Sequence, residues 1–283
     1  MPFPKAIGRL AVMELLRPMS RRAAIKDMGK AGLAIVVFGA ACTSEDPAST
    51  TVPSDSTTTT NGTSTTTTTG TSSTTAETTP PSTATTNWAR VNLGFVSAHI
   101  LYRNGAAAVV DTGLSGSESN IEAALGDIGL GWDAVSDVVV THKHPDHAGS
   151  LPAIAALAAG ASLYVGAGDA AAIGGVPGNQ PIAVGDNDMV FDMEIIETPG
   201  HTPGHIAVLD PAAGILVAGD ALNTRGGSLN SASADPDFTE DLSLADESVR
   251  KMAGLDFDIV LVGHGEPILE DGKDAVSELA ASL

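Results

Sequence analysis

Three histidines and one aspartate stand within the six residues from His142 to His147, one residue after the apolar run at residues 138–140. Imidazole nitrogens and carboxylate oxygens are the ligands that a divalent cation such as Zn²⁺ takes from proteins. If a strand ends here, alternate side chains point the same way, so His142, His144 and Asp146 can converge on one cation. The side chain of His147 then points elsewhere, which suits a second cation.

Six of the seven histidines in the chain fall in three short motifs. Besides the segment above, His201 and His205 stand in Thr-Pro-Gly-His-Thr-Pro-Gly-His, and His264 stands in Gly-His-Gly. Asp111 and Asp220 each follow an apolar, strand-like run as well. Reactive side chains in loops at strand ends are typical of an enzyme site on a sheet scaffold.

The apolar pattern predicts the secondary structure, because strands alternate with a period of two and helices repeat every three or four residues. The predicted strands are 91–96, 99–102, 106–110, 138–141, 162–165, 190–197, 206–209, 214–218 and 259–262. The predicted helices are 117–128, 149–158, 169–173, 244–255 and 274–283. Strands followed by helices, twice over, predict an α/β sandwich of two sheets with helices outside.

The first 42 residues read as an export segment. Arg21 and Arg22 precede an apolar run at residues 31–41 that is too short to span a bilayer, and this run leads to Cys42, the one cysteine of the chain. Residues 20–42 resemble a twin-arginine signal that ends in a lipobox. The resemblance implies a lipoprotein signal peptide over residues 1–41 and lipidation of Cys42. A short amphipathic helix that buries Cys42 is the alternative.

The next segment is almost entirely Thr and Ser, so it buries too little apolar surface to offset the entropy of ordering. We therefore predict a disordered stalk over residues 42–87 and a catalytic domain over residues 88–283. The protein is then expected in the cell envelope, lipid-anchored on the outer face of the cytoplasmic membrane or otherwise extracytoplasmic.

Charge restricts the partners. After residue 42 the chain has seven basic and 32 acidic residues, a formal net charge near −25. Such a charge argues against nucleic acid or an anionic membrane surface as an electrostatic partner. The expected partners are a small-molecule substrate and, only through the lipid on Cys42, a membrane; no oligomeric state is predicted.

The histidine motifs, together with Gly-Asp at residues 219–220 and Gly-His at residues 263–264, resemble the metallo-β-lactamase fold superfamily over residues 91–283. The resemblance implies an αββα sandwich of two mixed β-sheets with helices on the outer faces and a metal pair at one edge. It also implies the ligands: His142, His144 and His201 for one cation, Asp146, His147 and His264 for a second, and Asp220 as the bridge between them.

All of these ligands offer nitrogen or oxygen, so the expected cofactors are two divalent metal ions, with Zn²⁺ as the expected metal. A water shared by two such ions would be ionised near neutral pH, and Asp146 would be catalytic by orienting it and passing on its proton. The resemblance implies a buried supporting carboxylate at Asp111. His205 is expected to support the Gly-rich loop rather than bind metal.

These expectations predict a dinuclear metal-dependent hydrolase that uses a metal-bridging hydroxide on a small ester, thioester or lactone. One alternative is a mononuclear iron enzyme similar to persulfide dioxygenases, and another is a non-catalytic surface lipoprotein that binds metal or a ligand. Lactonases of acyl-homoserine lactones have tyrosine where this chain has Asn223. Class B β-lactamases lack the bridging aspartate at this position, so Asp220 argues against antibiotic hydrolysis.

Overall fold

The structure is a computed structural model, and it describes residues 85–283. The expected signal peptide over residues 1–41, the expected lipidation site Cys42 and the Thr/Ser-rich segment up to residue 84 lie outside the described residues. In the part of the chain that is described, no helix is both long enough and apolar enough to cross a bilayer.

The first sheet is mixed and follows the order of the sequence. Its described strands are β1 Asn87–Asn92, β2 Ser97–Arg103, β3 Ala106–Val110, β4 Val135–Val140, β5 Ser162–Gly166 and β6 Ile182–Val184. Neighbouring strands from β1 to β3 are antiparallel, whereas β3 to β6 are parallel. Parallel neighbours need a crossover connection, and this is where the chain places several of its helices.

The second sheet contains most of the remaining strands. The strands after β6, in chain order, are β7 Met189–Val190, β8 Met193–Glu197, β9 Ile206–Asp210, β10 Ile215–Gly219, β11 Leu222–Asn223, β12 Asn230–Ser231 and β13 Ile259–Val262. The sheet order is β13-β10-β9-β8-β7, with the pair β10 and β13 parallel and the other pairs antiparallel. β11 and β12 form a separate two-stranded ribbon.

The helices lie between the strands and at the end of the chain. Those in the described range are α1 Glu118–Asp127, α2 Pro145–Ala148, α3 Leu151–Leu157, α4 Ala170–Ile173, α5 Leu242–Ala253 and α6 Gly272–Ser282. α5 begins with a side-chain cap, because the Asp241 carboxylate accepts the Leu244 amide at 3.0 Å. Such a cap stabilises a helix by about 1 kcal/mol.

The central core lies between the two sheets. Leu101 and Val139 of the first sheet pack with Ile195 and Val217 of the second. Val138, next to Val139, points to the opposite face of its sheet and is also buried. Both faces of β4 are therefore covered, which explains why this strand reads as a continuous apolar run.

The outer faces of both sheets are covered by helices. Leu125 of α1 and Ile154 of α3 pack on the first sheet. Val249 of α5 and Val276 of α6 pack on the second. These four layers form the predicted αββα sandwich of two mixed sheets, which is thereby confirmed.

The predicted strand over residues 91–96 is wrong. The chain turns within that segment, where the Leu93 amide donates to the Val96 carbonyl at 3.0 Å. Gly94 has a φ of 97°, a left-handed conformation that glycine adopts at little cost. The apolar pattern misled because Phe95, at the centre of the turn, is apolar yet 58% exposed.

The single predicted strand over residues 190–197 is also wrong, because it is a hairpin of β7 and β8. Phe191 and Asp192 form its turn, both with a φ of 52°. Two residues with positive φ match the twist of a hairpin, but the usual Asn-Gly signal is absent here. The short strands β6, β11 and β12 were not predicted, since two or three residues carry no measurable periodicity.

We expect Leu125→Ala to lower the free energy of unfolding by about 2–5 kcal/mol, because this side chain is fully buried between α1 and the first sheet. Leu157→Ala on α3 is the matched control, since that side chain is 46% exposed; its effect should stay below about 1 kcal/mol. Urea denaturation of both variants measures the difference. Equal losses would contradict the packing described above.

Candidate metal centre

The seven implied ligands lie at one edge of the sandwich. Their positions follow the strands: His142, His144, Asp146 and His147 after β4, His201 between β8 and β9, Asp220 after β10, and His264 after β13. β10 and β13 are parallel, so their carboxyl ends carry Asp220 and His264 to the same edge. The structure thus brings together side chains that are separated by more than a hundred residues in the sequence.

The first donor group consists of His142, His144 and His201. The Nδ1 of His144 lies 3.0 Å from the Nε2 of His142 and 3.0 Å from the Nε2 of His201. Nitrogens that share a tetrahedral Zn²⁺, with Zn–N bonds of about 2.0–2.1 Å, are on the order of 3.3 Å apart. Their spacing therefore suits one small divalent cation.

The second donor group consists of Asp146, His147 and His264. The Oδ2 of Asp146 lies 3.3 Å from the Nε2 of His264 and 3.8 Å from the Nε2 of His147. Local sequence produces this arrangement, because Pro145 begins α2 after the extended residue His144. The turn of helix then presents Asp146 and His147 together.

Asp220 reaches both donor groups. Its Oδ2 lies 3.1 Å from the Nε2 of His264 and 3.6 Å from the Nε2 of His201. Its Oδ1 lies 3.4 Å from the Nε2 of His147. One carboxylate therefore lies close to histidine nitrogens of both donor groups.

Two atoms of the cluster support the presence of metal. The Nε2 of His147 and the Oδ1 of Asp220 are buried and make no well-directed hydrogen bond, although they lie 3.4 Å from each other. Leaving such a polar atom buried and unpaired costs about 1–3 kcal/mol, so native structures rarely do so without a reason. Cations between the two groups would coordinate both atoms, and the donors, all nitrogen or oxygen, fit a metal such as Zn²⁺.

Hydrogen bonds at Nδ1 orient two of the rings through threonine. The Thr141 hydroxyl donates to Asp111 at 2.9 Å, so it accepts the Nδ1–H of His142 at 3.0 Å. The Thr239 hydroxyl donates to the Ala232 carbonyl at 2.8 Å, so it accepts the Nδ1–H of His201 at 3.2 Å. With the proton held on Nδ1, each ring presents the lone pair of Nε2 to the cluster.

The rings of the second group are oriented in the same way. His147 donates from Nδ1 to Asp111 at 2.8 Å, and His264 donates from Nδ1 to the Phe95 carbonyl at 2.6 Å. Asp111 has a φ of 65°, which is strained for a residue other than glycine. Strained backbone of this kind clusters at functional sites.

The His205 ring makes a hydrogen bond to the backbone of Asp220 and another to Thr198. Its Nε2 accepts the backbone N–H of Asp220 at 3.0 Å, so its Nδ1 carries the proton and donates to the Thr198 hydroxyl at 2.7 Å. Both ring nitrogens are therefore engaged, and His205 fixes the backbone that carries Asp220. Asp111 and His205, the two residues expected to support the site, thus both make hydrogen bonds next to the cluster.

The two ends of the cluster differ electrostatically. Burial lowers the pKa of His142 well below its ordinary value and the pKa of His201 to about 4, so both rings are neutral and able to bind a cation. Burial also lowers the pKa of His147, but Asp220 and Asp111 raise it further, to well above its ordinary value. Hydrogen bonds with Asp146 and Asp220 likewise outweigh burial and raise the pKa of His264 to about 9. The carboxylates thus favour positive charge at this end, which a proton on Nε2 supplies and a cation bound there would replace.

Asp169 is a site residue that the sequence reading missed. It is fully buried, and its Oδ2 accepts the Lys143 amide at 2.9 Å and the Thr202 hydroxyl at 2.6 Å. Its Oδ1 accepts the Gly204 amide at 3.0 Å. One carboxylate therefore ties the loop of His142 and His144 to the loop that carries His201.

The position of Asp169 explains why residue 204 is a glycine, and it shows which sequence signal could have identified Asp169. A Cβ on Gly204 would stand 2.1 Å from the Asp169 amide, so a larger residue would push the two loops apart. Asp169 follows the apolar strand β5, as Asp111 follows β3 and Asp220 follows β10. The pattern that singled out Asp111 and Asp220 could have found it.

Several known proteins are similar to this chain in sequence. A sequence profile described as the metallo-beta-lactamase superfamily matches residues 91–264. Metallo-beta-lactamase domain-containing protein 1 of Xenopus laevis is 30% identical over 191 residues, which are 63% of this chain and 75% of that protein. The hydroxyacylglutathione hydrolase of Rhodospirillum rubrum is 37% identical over 124 residues, which are 43% of this chain and 45% of that enzyme.

Other matches concern parts of longer proteins or the fold alone. YobT of Bacillus subtilis is 28% identical over 154 residues, 47% of this chain and 64% of that protein, so the chain spans less than two thirds of it and of the Rhodospirillum enzyme. A metallo-beta-lactamase family protein from Thermus thermophilus has a similar fold, with a TM-score of 0.54 at 23% identity over 70% of this chain and 78% of that chain. Metallo-beta-lactamase SMB-1, in a complex with mercaptoacetic acid, has a TM-score of 0.55 at 20% identity, over 69% of this chain and 91% of that chain.

We expect Asp169→Asn to weaken zinc binding about 10-fold to 100-fold, because an amide cannot accept all three hydrogen bonds that hold the two loops. Zinc competition with a chromophoric chelator measures the affinity. Asp256→Asn is the control, since that carboxylate is exposed and paired only at the surface with Lys273. Wild-type affinity in Asp169→Asn would show that the carboxylate does not position the ligands.

Proposed function

The chain belongs to the metallo-beta-lactamase superfamily, and from this premise we propose a hydrolase that holds two divalent cations and cleaves a small ester, thioester or lactone. The observation that carries the proposal is Asp220, whose two oxygens lie 3.1–3.6 Å from histidine nitrogens of both donor groups. A single carboxylate shared by two nitrogen-rich groups is the arrangement expected of a dinuclear site.

The roles follow the two donor groups. One cation would be held by His142, His144 and His201, the other by Asp146, His147 and His264, with Asp220 between them. When bound, the cations supply Lewis acidity toward a carbonyl oxygen and lower the pKa of water toward about 7. Zn²⁺ is the proposed metal, since imidazole and carboxylate donors suit it.

Asp146 is the proposed catalytic residue. Its carboxylate lines a cavity of about 480 Å³ that opens over the cluster. Burial raises the pKa of Asp146, but His264, His147 and a backbone hydrogen bond together outweigh this and leave the pKa below its ordinary value. The group is therefore ionised at neutral pH, so it can orient an attacking water and accept its proton.

The geometry favours this proposal over a mononuclear iron enzyme. Persulfide dioxygenases, the family named for this alternative, lack a counterpart of His264. In this chain the His264 ring is fixed by the Phe95 carbonyl and lies 3.1 Å from Asp220. The relatives named hydroxyacylglutathione hydrolase support thioesters as one class of substrate.

We expect purified protein to contain about two zinc ions and to hydrolyse p-nitrophenyl acetate or a simple thioester. Asp220→Asn should lower kcat/KM by more than about 100-fold and reduce the metal content, because the bridge is lost. Elemental analysis and steady-state kinetics measure the two effects. Asp127→Asn, an exposed carboxamide substitution at the end of α1, should change neither.

Two results would reject the proposal. One iron ion per chain would favour the mononuclear alternative. Metal binding without hydrolysis of any ester or thioester would favour a non-catalytic binding protein.

We also propose that the protein is a lipoprotein of the cell envelope, supported by the sequence from Arg21 to Cys42. Acylation of one cysteine would anchor the chain without a spanning helix. Growing cells that carry Cys42→Ala should therefore release the protein into the soluble fraction. Fractionation with an antibody against the catalytic domain tests this, and persistent membrane association of the variant would contradict it.

A further inference from the structure

Two phenylalanine rings line the mouth of the cavity above the cluster. Phe95 is 58% exposed and Phe238 is 62% exposed. Aromatic side chains usually bury most of their large surface, so a pair left exposed beside a cavity indicates a contact with another molecule. Both rings are therefore available to contact a molecule that enters the cavity.

Phe95 has a fixed position relative to the second donor group. Its carbonyl accepts the Nδ1–H of His264, and its ring stacks on the His264 ring with a centroid distance of 5.8 Å and an interplanar angle of 17°. Both contacts, through the backbone and through the ring, join Phe95 to His264. The Phe95 ring therefore has a fixed position beside the second donor group.

Phe238 is placed beside the first donor group. Its amide donates to the Asp235 carbonyl at 3.2 Å, and the next residue, Thr239, orients His201 through the hydroxyl. The amide of Glu240 also donates to the His201 carbonyl at 3.2 Å. The segment that aims a ligand of the first group therefore also carries an aromatic ring to the cavity.

Outside the cluster, the cavity wall offers no unpaired charge among the described residues. Arg225 and Asp235 both line the cavity and form an ion pair at 2.6 Å. The other wall residues are neutral: Phe95, Pro145, Asn223, Ala232 and Phe238. An anionic substituent on the substrate would have to compete with Asp235 for Arg225, the one cation of this wall outside the cluster among the described residues.

From these contacts we infer that the substrate is a neutral ester or thioester with an apolar chain, and that Phe95 and Phe238 determine this specificity. The inference rests on the proposed hydrolase function and adds the substrate class. The cavity of about 480 Å³ has the size of a typical small-molecule site. The cluster would take the carbonyl group, and the two rings would contact the chain.

The test is a series of p-nitrophenyl esters, from acetate through butyrate and hexanoate to octanoate, with the zinc-loaded protein. We expect kcat/KM to rise about twofold to fourfold for each added methylene that the rings cover. The double variant Phe95→Ala and Phe238→Ala should show little rise of kcat/KM with chain length. The double variant Phe95→Leu and Phe238→Leu, which keeps apolar side chains, should show most of the wild-type rise. Met189→Ala is the control, because Met189 is 61% exposed and does not line the cavity.

The possible outcomes separate this inference from the proposed function. No hydrolysis of any ester by the zinc-loaded wild type rejects the function itself. Hydrolysis with no dependence on chain length, or a dependence that the double alanine variant retains, overturns the substrate class. A higher kcat/KM for the anionic thioester S-lactoylglutathione than for the octanoate ester also overturns it.

Zinc content is measured on every variant, because Phe95 contacts a ligand ring. If the double variant loses zinc, Phe238→Ala alone decides the matter, since the Phe238 ring has no ring contact with a ligand histidine. A steep dependence on chain length in that variant, equal to that of the wild type, would then overturn the role of Phe238.

Discussion

The site depends on the hydrogen bond that each of four histidines makes from Nδ1 to an oxygen. The acceptors are the Thr141 hydroxyl, the Asp111 carboxylate, the Thr239 hydroxyl and the Phe95 carbonyl. Each bond fixes the tautomer and the rotation of a ring, so the lone pair of Nε2 faces the cluster. Without such bonds the rings could rotate, and the Nε2 lone pairs would not point to the same place. The Nε2 of His147 and the Oδ1 of Asp220 are buried without a well-directed hydrogen bond, which is compatible with a divalent cation at this place.

These acceptors belong to segments that the sandwich brings to one edge. The turn that carries Phe95 joins β1 and β2 of the first sheet, yet its carbonyl holds His264, which follows β13 of the second sheet. Asp169, after β5, ties the loops of both sheets through three hydrogen bonds. The orientation of the ligands therefore depends on how the two sheets pack. Phe95, in the turn between β1 and β2, also lines the cavity.

The sequence predicted those parts of the fold and the site that have a local signal. β3, β4 and the helix α1 were found because their apolar residues repeat with the period of the element. The implied ligands from His142 to His147 were found because four donors stand close together. Predictions were wrong or missing where the signal is not local: the turn at Phe95 resembles a strand, and Asp169 has its partners 26–35 residues away in sequence.

By itself the sequence determined the kinds of donor, the order of the longer strands and helices, and the position of most donor residues after strand ends, since all three follow from local composition and spacing. Only the tertiary structure decided that Asp220 lies between the two donor groups, that the His205 ring accepts the backbone amide of Asp220, and that Phe95 and Phe238 line a cavity instead of a core. The physical reason is that distances between loops are set by how two sheets pack face to face. No spacing along the chain encodes that packing.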